Sequence, residues 1–141
     1  MKAAWVGVLK YASPENIVVA NNLAAAFLKS GYPDKALTLY RQNTEAWPDQ
    51  PDTWTGLGNV LVSLEKFDDA IAAYSKTMEP FPDHVDALHG RAVANHRRAS
   101  TFGGVEYYRN ALDDYHKVAT LDPSHLHAHQ NMGLLFQLLD E

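Results

Sequence analysis

The chain contains no cysteine, which excludes disulfides and thiolate metal sites but does not choose between cytoplasm and periplasm. No stretch approaches the roughly 18 apolar residues that a membrane span needs. The opening segment, residues 1–10, has one lysine before a short apolar stretch, and lacks the longer core and cleavage site of a secretory signal. A cytoplasmic location is the resulting expectation. Positive charge is also scarce. Twelve Lys and Arg face 17 Asp and Glu, and the net charge of -5 argues against a general nucleic-acid binder. Motifs for chemistry are missing as well: no nucleophile elbow, phosphate-cradling glycine loop or zinc-protease signature occurs. Gly103-Gly104 has no phosphate-loop partners and reads as a turn. The paired acids Asp68-Asp69 and Asp113-Asp114 fall at the start or outer side of helices, where the dipole and water favour them. No catalytic set or cofactor site is expected.

What is present suffices for one domain with a continuous core: 141 residues, 46% apolar and 21% charged. Between Ala87 and Leu112, Arg91, Arg97, Arg98 and Arg109 face Glu106 alone, so this stretch is basic and the remainder more acidic than the whole. The strongest signal is a period. Pro14, Pro48 and Pro82 are evenly spaced, and Pro123 follows after a longer step. Ala36, Ala70 and Ala111 keep the same two steps, as do Tyr40, Tyr74 and Tyr115. Three residue types sharing one period and one seven-residue interruption mark an internal repeat.

Trp54, Leu57-Gly58 and Leu61, then Ala70 and Tyr74, then Pro82, closely resemble the tetratricopeptide repeat. Leu61 stands where that family has an aromatic residue. The resemblance places repeats at 17–50, 51–84 and 85–125, the tail of a preceding unit at 1–16, and a further first helix at 126–141. It implies an all-α fold, a right-handed superhelical solenoid of antiparallel helix pairs, with about eight helices. The residues support hairpins independently. Ala70, Ile71, Tyr74 and Met78 form one buried stripe on a helix over Phe67–Met78, paired with one over Asp52–Ser63. Gly58 and Ala70 are small where helix axes must approach, as are Ala24, Ala92, Gly133, Ala36 and Ala111 in the corresponding places. Pro48, Pro82 and Pro123 set the turn into the next unit, with Asp49 and Asp83 as helix starters.

The third repeat departs from the rule. Its seven extra residues lie between Arg97 and Ala111, which predicts a first helix prolonged to about Ser100 and a second starting near Val105. The hairpin should project by about one turn, ~5 Å. Phe102, Tyr107 and Tyr108 either pack this longer hairpin against itself or offer an aromatic contact to a partner. Both ends are apolar, with Trp5, Val6, Val8 and Leu9 at one and Met132, Leu134, Leu135, Phe136, Leu138 and Leu139 at the other. That pattern suits a piece of a longer array or self-association between copies.

The resemblance further implies that first helices line a concave wall, and that this wall holds a peptide or protein segment. Expected contacts are Asn22, Thr55, Asn59, His89, Val93, His96, Arg97 and Asn131. Asn22, Asn59 and Asn131 carry amides able to pair with a peptide main chain. Gly56 and Gly90 should keep the wall open, and His89, His96 and Arg97 suit an acidic segment. Members that clamp a terminal carboxylate use lysine, asparagine and arginine on successive first helices. Counted from the first repeat, those places hold Asn21, Ala25, Gly56, Asp86 and Gly90. Counted from the second, they hold Thr55, Asn59, Gly90, His127 and Asn131. The cations are absent, so a chaperone-tail clamp is not expected. His125, His127 and His129 could offer an i, i+4 ligand pair, but no glutamate or cysteine completes a metal site. The leading expectation is a non-enzymatic protein-interaction scaffold. The alternatives are a substrate-recruiting segment of a larger enzyme, of glycosyltransferase or hydroxylase type, and a homo-oligomeric assembly module.

Overall fold

Residues 14–140, those the computed structural model describes, form seven helices and no strand. They are α1 (Pro14–Lys29), α2 (Pro33–Ala46), α3 (Pro51–Ser63), α4 (Phe67–Met78), α5 (Val85–Phe102), α6 (Val105–Leu121) and α7 (Leu126–Asp140). The eighth helix is the one expected in the opening segment, whose Trp5, Val6, Val8 and Leu9 lie outside the described residues. Proline opens α1, α2 and α3, where its fixed φ suits a helix start and its missing N–H is no loss. Asp49 and Asp83 do not cap the helices that follow them. The cap places belong to Gln50 and His84, and the His84 imidazole accepts the Ala87 N–H at 3.1 Å. His125 does the same for Ala128 at 3.2 Å at the start of α7.

The turns inside the first two hairpins share one backbone solution. Gly31 (φ 87) and Glu65 (φ 61) hold the same place in successive repeats, and both are left-handed. Tyr32 N–H bonds Phe27 O at 2.8 Å, and Lys66 N–H bonds Leu61 O at 2.8 Å, closing the carbonyls that each helix end leaves open. Glycine takes this conformation freely, whereas a side chain resists it.

The hairpins nest through the small residues. Ala24, Ala36, Ala70, Ala92 and Ala111 are all fully buried in one apolar core that runs from α1 to α7. A Cβ on Gly58 would meet the Tyr74 ring at 2.6 Å, so the helix pair closes here only because glycine allows it. Gly133, its counterpart on α7, has nothing within 4 Å of such an atom. The first helices α1 and α3, and α3 and α5, also touch side by side, forming the inner wall. In the third hairpin α5 has 18 residues against 13 in α3, an overhang of about 7 Å at ~1.5 Å per residue. The two helices break at Gly103 and Gly104, both at positive φ, close to the expected boundaries.

Candidate functional site

On the inner wall α1 and α3 enclose a cleft of about 460 Å³. Asn22, Thr55 and Asn59, three of the expected contacts, line it together with Ile17 and Val18. Asn22 and Asn59 are exposed, being placed on the side of each helix turned from the core. Asn22 makes no side-chain hydrogen bond among the described residues, leaving donor and acceptor for a ligand. Asn59 is half engaged: its Oδ1 accepts the Tyr74 hydroxyl at 2.6 Å. Burial pushes the Tyr74 phenol up in pKa, so it stays a donor and holds the Asn59 amide with its NH₂ free. Thr55 is buried and its hydroxyl turns inward, donating to Pro51 O at 2.8 Å beside Thr77. It shapes the cleft rather than offering a polar contact.

The expected openness of the wall at Gly56 and Gly90 is corrected by the packing. A Cβ on Gly90 would meet the Tyr74 ring at 2.5 Å, and one on Gly56 would collide with the Tyr40 ring. Each tyrosine closes its second helix onto the first helix of the next repeat. The offset from Tyr40 to Gly56 recurs from Tyr74 to Gly90, and is readable in the sequence as a pairing. Asn21 is likewise structural, bonding the Thr53 hydroxyl at 3.0 Å and the Asn43 amide at 3.2 Å.

Further along, His89 sits half-buried on α5 with its ring centroid 4.7 Å from His125 and 6.4 Å from His127. Its Nε2 is buried and has no hydrogen-bond partner among the described residues. Burial, then the neighbouring His125 and His127, lower its pKa against a smaller opposing pull from Asp86. His96 packs its edge on Tyr108 at 5.8 Å, and burial lowers it too. Both imidazoles are therefore held neutral at neutral pH, unlike the charged wall that the residue types suggested. Val93 packs against the core between them, and Asn131 is half-buried on α7. Arg97 lies at the rim, 3.7 Å from Glu65 and over the Phe67 ring, apart from the cleft residues.

The histidine grouping also differs from the expected i, i+4 pair. His129 bonds Pro123 O at 2.9 Å, repeating the Trp54 contact to Pro48 O at 2.7 Å. His89 joins His125 and His127 in its place. Among the described residues, no group of three His, Cys, Asp or Glu is placed to hold a metal ion. In the insertion, Arg98 stacks on Tyr107 at 4.1 Å and on Phe102 at 5.5 Å, and donates to Gly103 O at 2.7 Å. Tyr108 meets the Ser100 hydroxyl at 3.2 Å. Tyr107 and Tyr108 thus brace the hairpin, while Phe102 stays 68% exposed.

A family model described as Tetratricopeptide repeat matches residues 21–84 and 55–113. The Protein CTR9 homolog of Arabidopsis thaliana is 29% identical over 77 residues, 55% of this chain and 7% of that protein. Protein FlbA of Caulobacter vibrioides is 28% identical over 94 residues, 67% of this chain and 16% of that protein. The chain therefore spans a small part of the length of the curated relatives it matches. A structure of the first TPR of Spaghetti (RPAP3), bound to the HSP90 peptide SRMEEVD, has a TM-score of 0.81 at 21% identity, covering 93% of this chain and 98% of that one. TTC0263, a thermophilic TPR protein in Thermus thermophilus, has a TM-score of 0.76 at 19% identity, covering 89% and 66%. At these identities the likeness to solved structures is one of fold.

Proposed function

This chain belongs to the tetratricopeptide-repeat family, and we propose on that premise that it is a non-enzymatic scaffold holding an extended, acidic segment of a partner protein. The observation that carries this reading is the cleft between α1 and α3, where the exposed Asn22 and Asn59 amides face ligand space beside apolar Ile17 and Val18. Amides at that place pair with a main chain without reading its side chains, and the apolar rim takes an anchor. A relative of the same fold holds a peptide, SRMEEVD, with three acidic residues. His89 and His96 lie outside this cleft and are neutral at neutral pH. As pH falls through their lowered values, below the usual histidine value of about 6.5, they gain charge and attraction for an acidic segment should rise.

A terminal-carboxylate clamp does not suit this wall. Of the places such a clamp would need, Gly56 and Gly90 lie under tyrosine rings and Asn21 is bonded within the fold. A free and an amidated carboxyl terminus on the same acidic peptide are expected to bind alike.

The test is fluorescence anisotropy with a set of acidic peptides, against Asn22→Ala and Asn59→Asp. The second change keeps an acceptor for Tyr74 but removes the amide donor and adds repulsion. Each should weaken binding at least tenfold, about 1.4 kcal/mol, with little change in melting temperature. Unchanged affinity in both variants removes the groove as the site. A second reading, self-association, is favoured by Leu134, Phe136 and Leu138, all exposed on α7. A concentration-independent monomer in light scattering removes that one.

A further inference from the structure

The α5 helix has two unlike sides. His89, Val93 and His96 lie on one side, where the two imidazoles pack against Tyr115 of α6, whereas Arg91 and Asn95 lie on the opposite side, in a cleft between α4 and α6. One repeat earlier, the place of Arg91 is held on α3 by Leu57, and that of Asn95 by Leu61. One repeat later, the same places on α7 are Met132 and Phe136. Asp114 on α6 stands where α4 has Ala73. Leu57, Leu61 and Ala73 are buried packing residues. The third unit alone replaces all three by polar groups, on two different helices.

These replacements are fitted to one another. The Arg91 guanidinium grips Asp114 with two bonds, Nε to Oδ2 at 2.7 Å and Nη2 to Oδ1 at 2.9 Å. Its Nη1 donates to the Ser75 hydroxyl at 3.2 Å. The hydrogen bonds to Asp114 raise the arginine's pKa against the opposing effect of burial, so the charge is permanent. Above this pair lies a cleft of about 340 Å³. Asn95, only 4% exposed, lines it. Its Nδ2 donates to Arg91 O at 3.1 Å, and its Oδ1 accepts no hydrogen bond among the described residues. Asp113 and Asn110 lie exposed in the same lining. Asp113 makes no ion pair within 4 Å among the described residues.

Stability does not account for this arrangement. Even a partly buried ion pair gains little over well-packed apolar residues of similar volume, and the preceding repeat shows the apolar version at the same places. What the polar version creates is an acceptor-rich hollow: Asp113, the open Asn95 Oδ1 and the outer lone pairs of Asp114. Against these stands one guanidinium already committed to Asp114, so the lining carries a net negative charge. The geometry points to a second binding site, on the outer face between α4 and α6, which takes a lysine or arginine side chain from a partner protein. It is distinct from the inner groove in both position and charge preference.

The site is tested with the full chain by NMR titration, using N-acetyl-arginine amide as the probe and N-acetyl-norleucine amide as its uncharged control. The side-chain amide signals of Asn95 and Asn110 should shift saturably with the arginine probe and not with the control. Asp113→Asn, at an exposed position that leaves folding intact, should weaken the probe several-fold. Asn95→Leu, which restores the residue of the preceding repeat, should abolish the shift at Asn110. Asn22→Ala on the inner wall should leave it unchanged, which separates this site from the peptide groove. No saturable shift, an equal response to norleucine, or full binding by both Asp113→Asn and Asn95→Leu overturns the proposal.

Discussion

At the scale of single residues, space decides the outcome more than residue type does. Gly58 on α3 and Gly133 on α7 hold the same place in their repeats, one under the Tyr74 ring and one open to solvent. Gly58→Ala pushes a Cβ to 2.6 Å from a ring that is 1% exposed and has nowhere to move. It should destabilise the chain by ~1–3 kcal/mol, as overpacking does. Gly133→Ala adds only helix propensity and should stabilise by about 0.5–1 kcal/mol. Urea unfolding of both variants checks the pair, and equal signs would show that the tyrosine contact does not control closure. Protons act through the same local surroundings. His89 and His96 are held below their ordinary pKa, chiefly by burial, His89 also by His125 and His127 with Asp86 opposing. Below the unfolded value of about 6.5, the unfolded chain takes up protons that the folded one refuses. Stability present near neutral pH is therefore lost as the solution is acidified through the lowered folded values. The melting temperature should drop between pH ~7.5 and ~5.5, and His96→Gln should flatten that slope.

At the scale of helices and turns, the repeat imposes one backbone course on unlike residues. Gly31 meets the left-handed turn without steric conflict, but the next repeat puts Glu65 there, at φ 61. Its carboxylate reaches Arg97 at 3.7 Å across an exposed surface, a contact worth little. Glu65→Gly should consequently stabilise by about 1 kcal/mol, because relief of the left-handed strain exceeds the lost ion pair. A lower unfolding midpoint in urea would mean that the Arg97 contact matters more than the turn. The long hairpin shows the opposite solution. Its two glycines supply the break, and Arg98 fastens the overhang by stacking between Phe102 and Tyr107.

For the whole molecule, each hairpin leans mainly on its neighbours in sequence, so stability is distributed along the stack. The α7 helix has α6 on one side and buries Ala128 and Leu135 fully, while Leu134, Phe136 and Leu138 face outward. Helices α4 and α5 are enclosed on both sides by described elements. Amide hydrogen exchange should therefore be faster in α7 than in α4 or α5. Equal protection throughout would indicate a single cooperative unit, or a cover over the α7 face. The charge asymmetry is also reduced at this scale. Arg91, Arg97 and Arg98 find Asp114, Glu65 and Asp68 on neighbouring segments, so three of the four arginines in the basic stretch are offset by acids from elsewhere in the fold.

By itself the sequence determined the hairpins, their order and their contact residues, because close helix packing demands small and aromatic side chains at fixed intervals. Ala70, Tyr74 and the break at Gly103-Gly104 were legible for that reason, and so were Asn22 and Asn59 as wall residues. Only the tertiary structure decided which polar atoms remained available. Thr55 turned inward, Arg97 went to Glu65, and two glycines expected to leave space were filled by Tyr40 and Tyr74. Periodicity specifies which face a residue occupies, whereas hydrogen bonds and charges are settled by partners from distant segments that a one-dimensional pattern does not bring together.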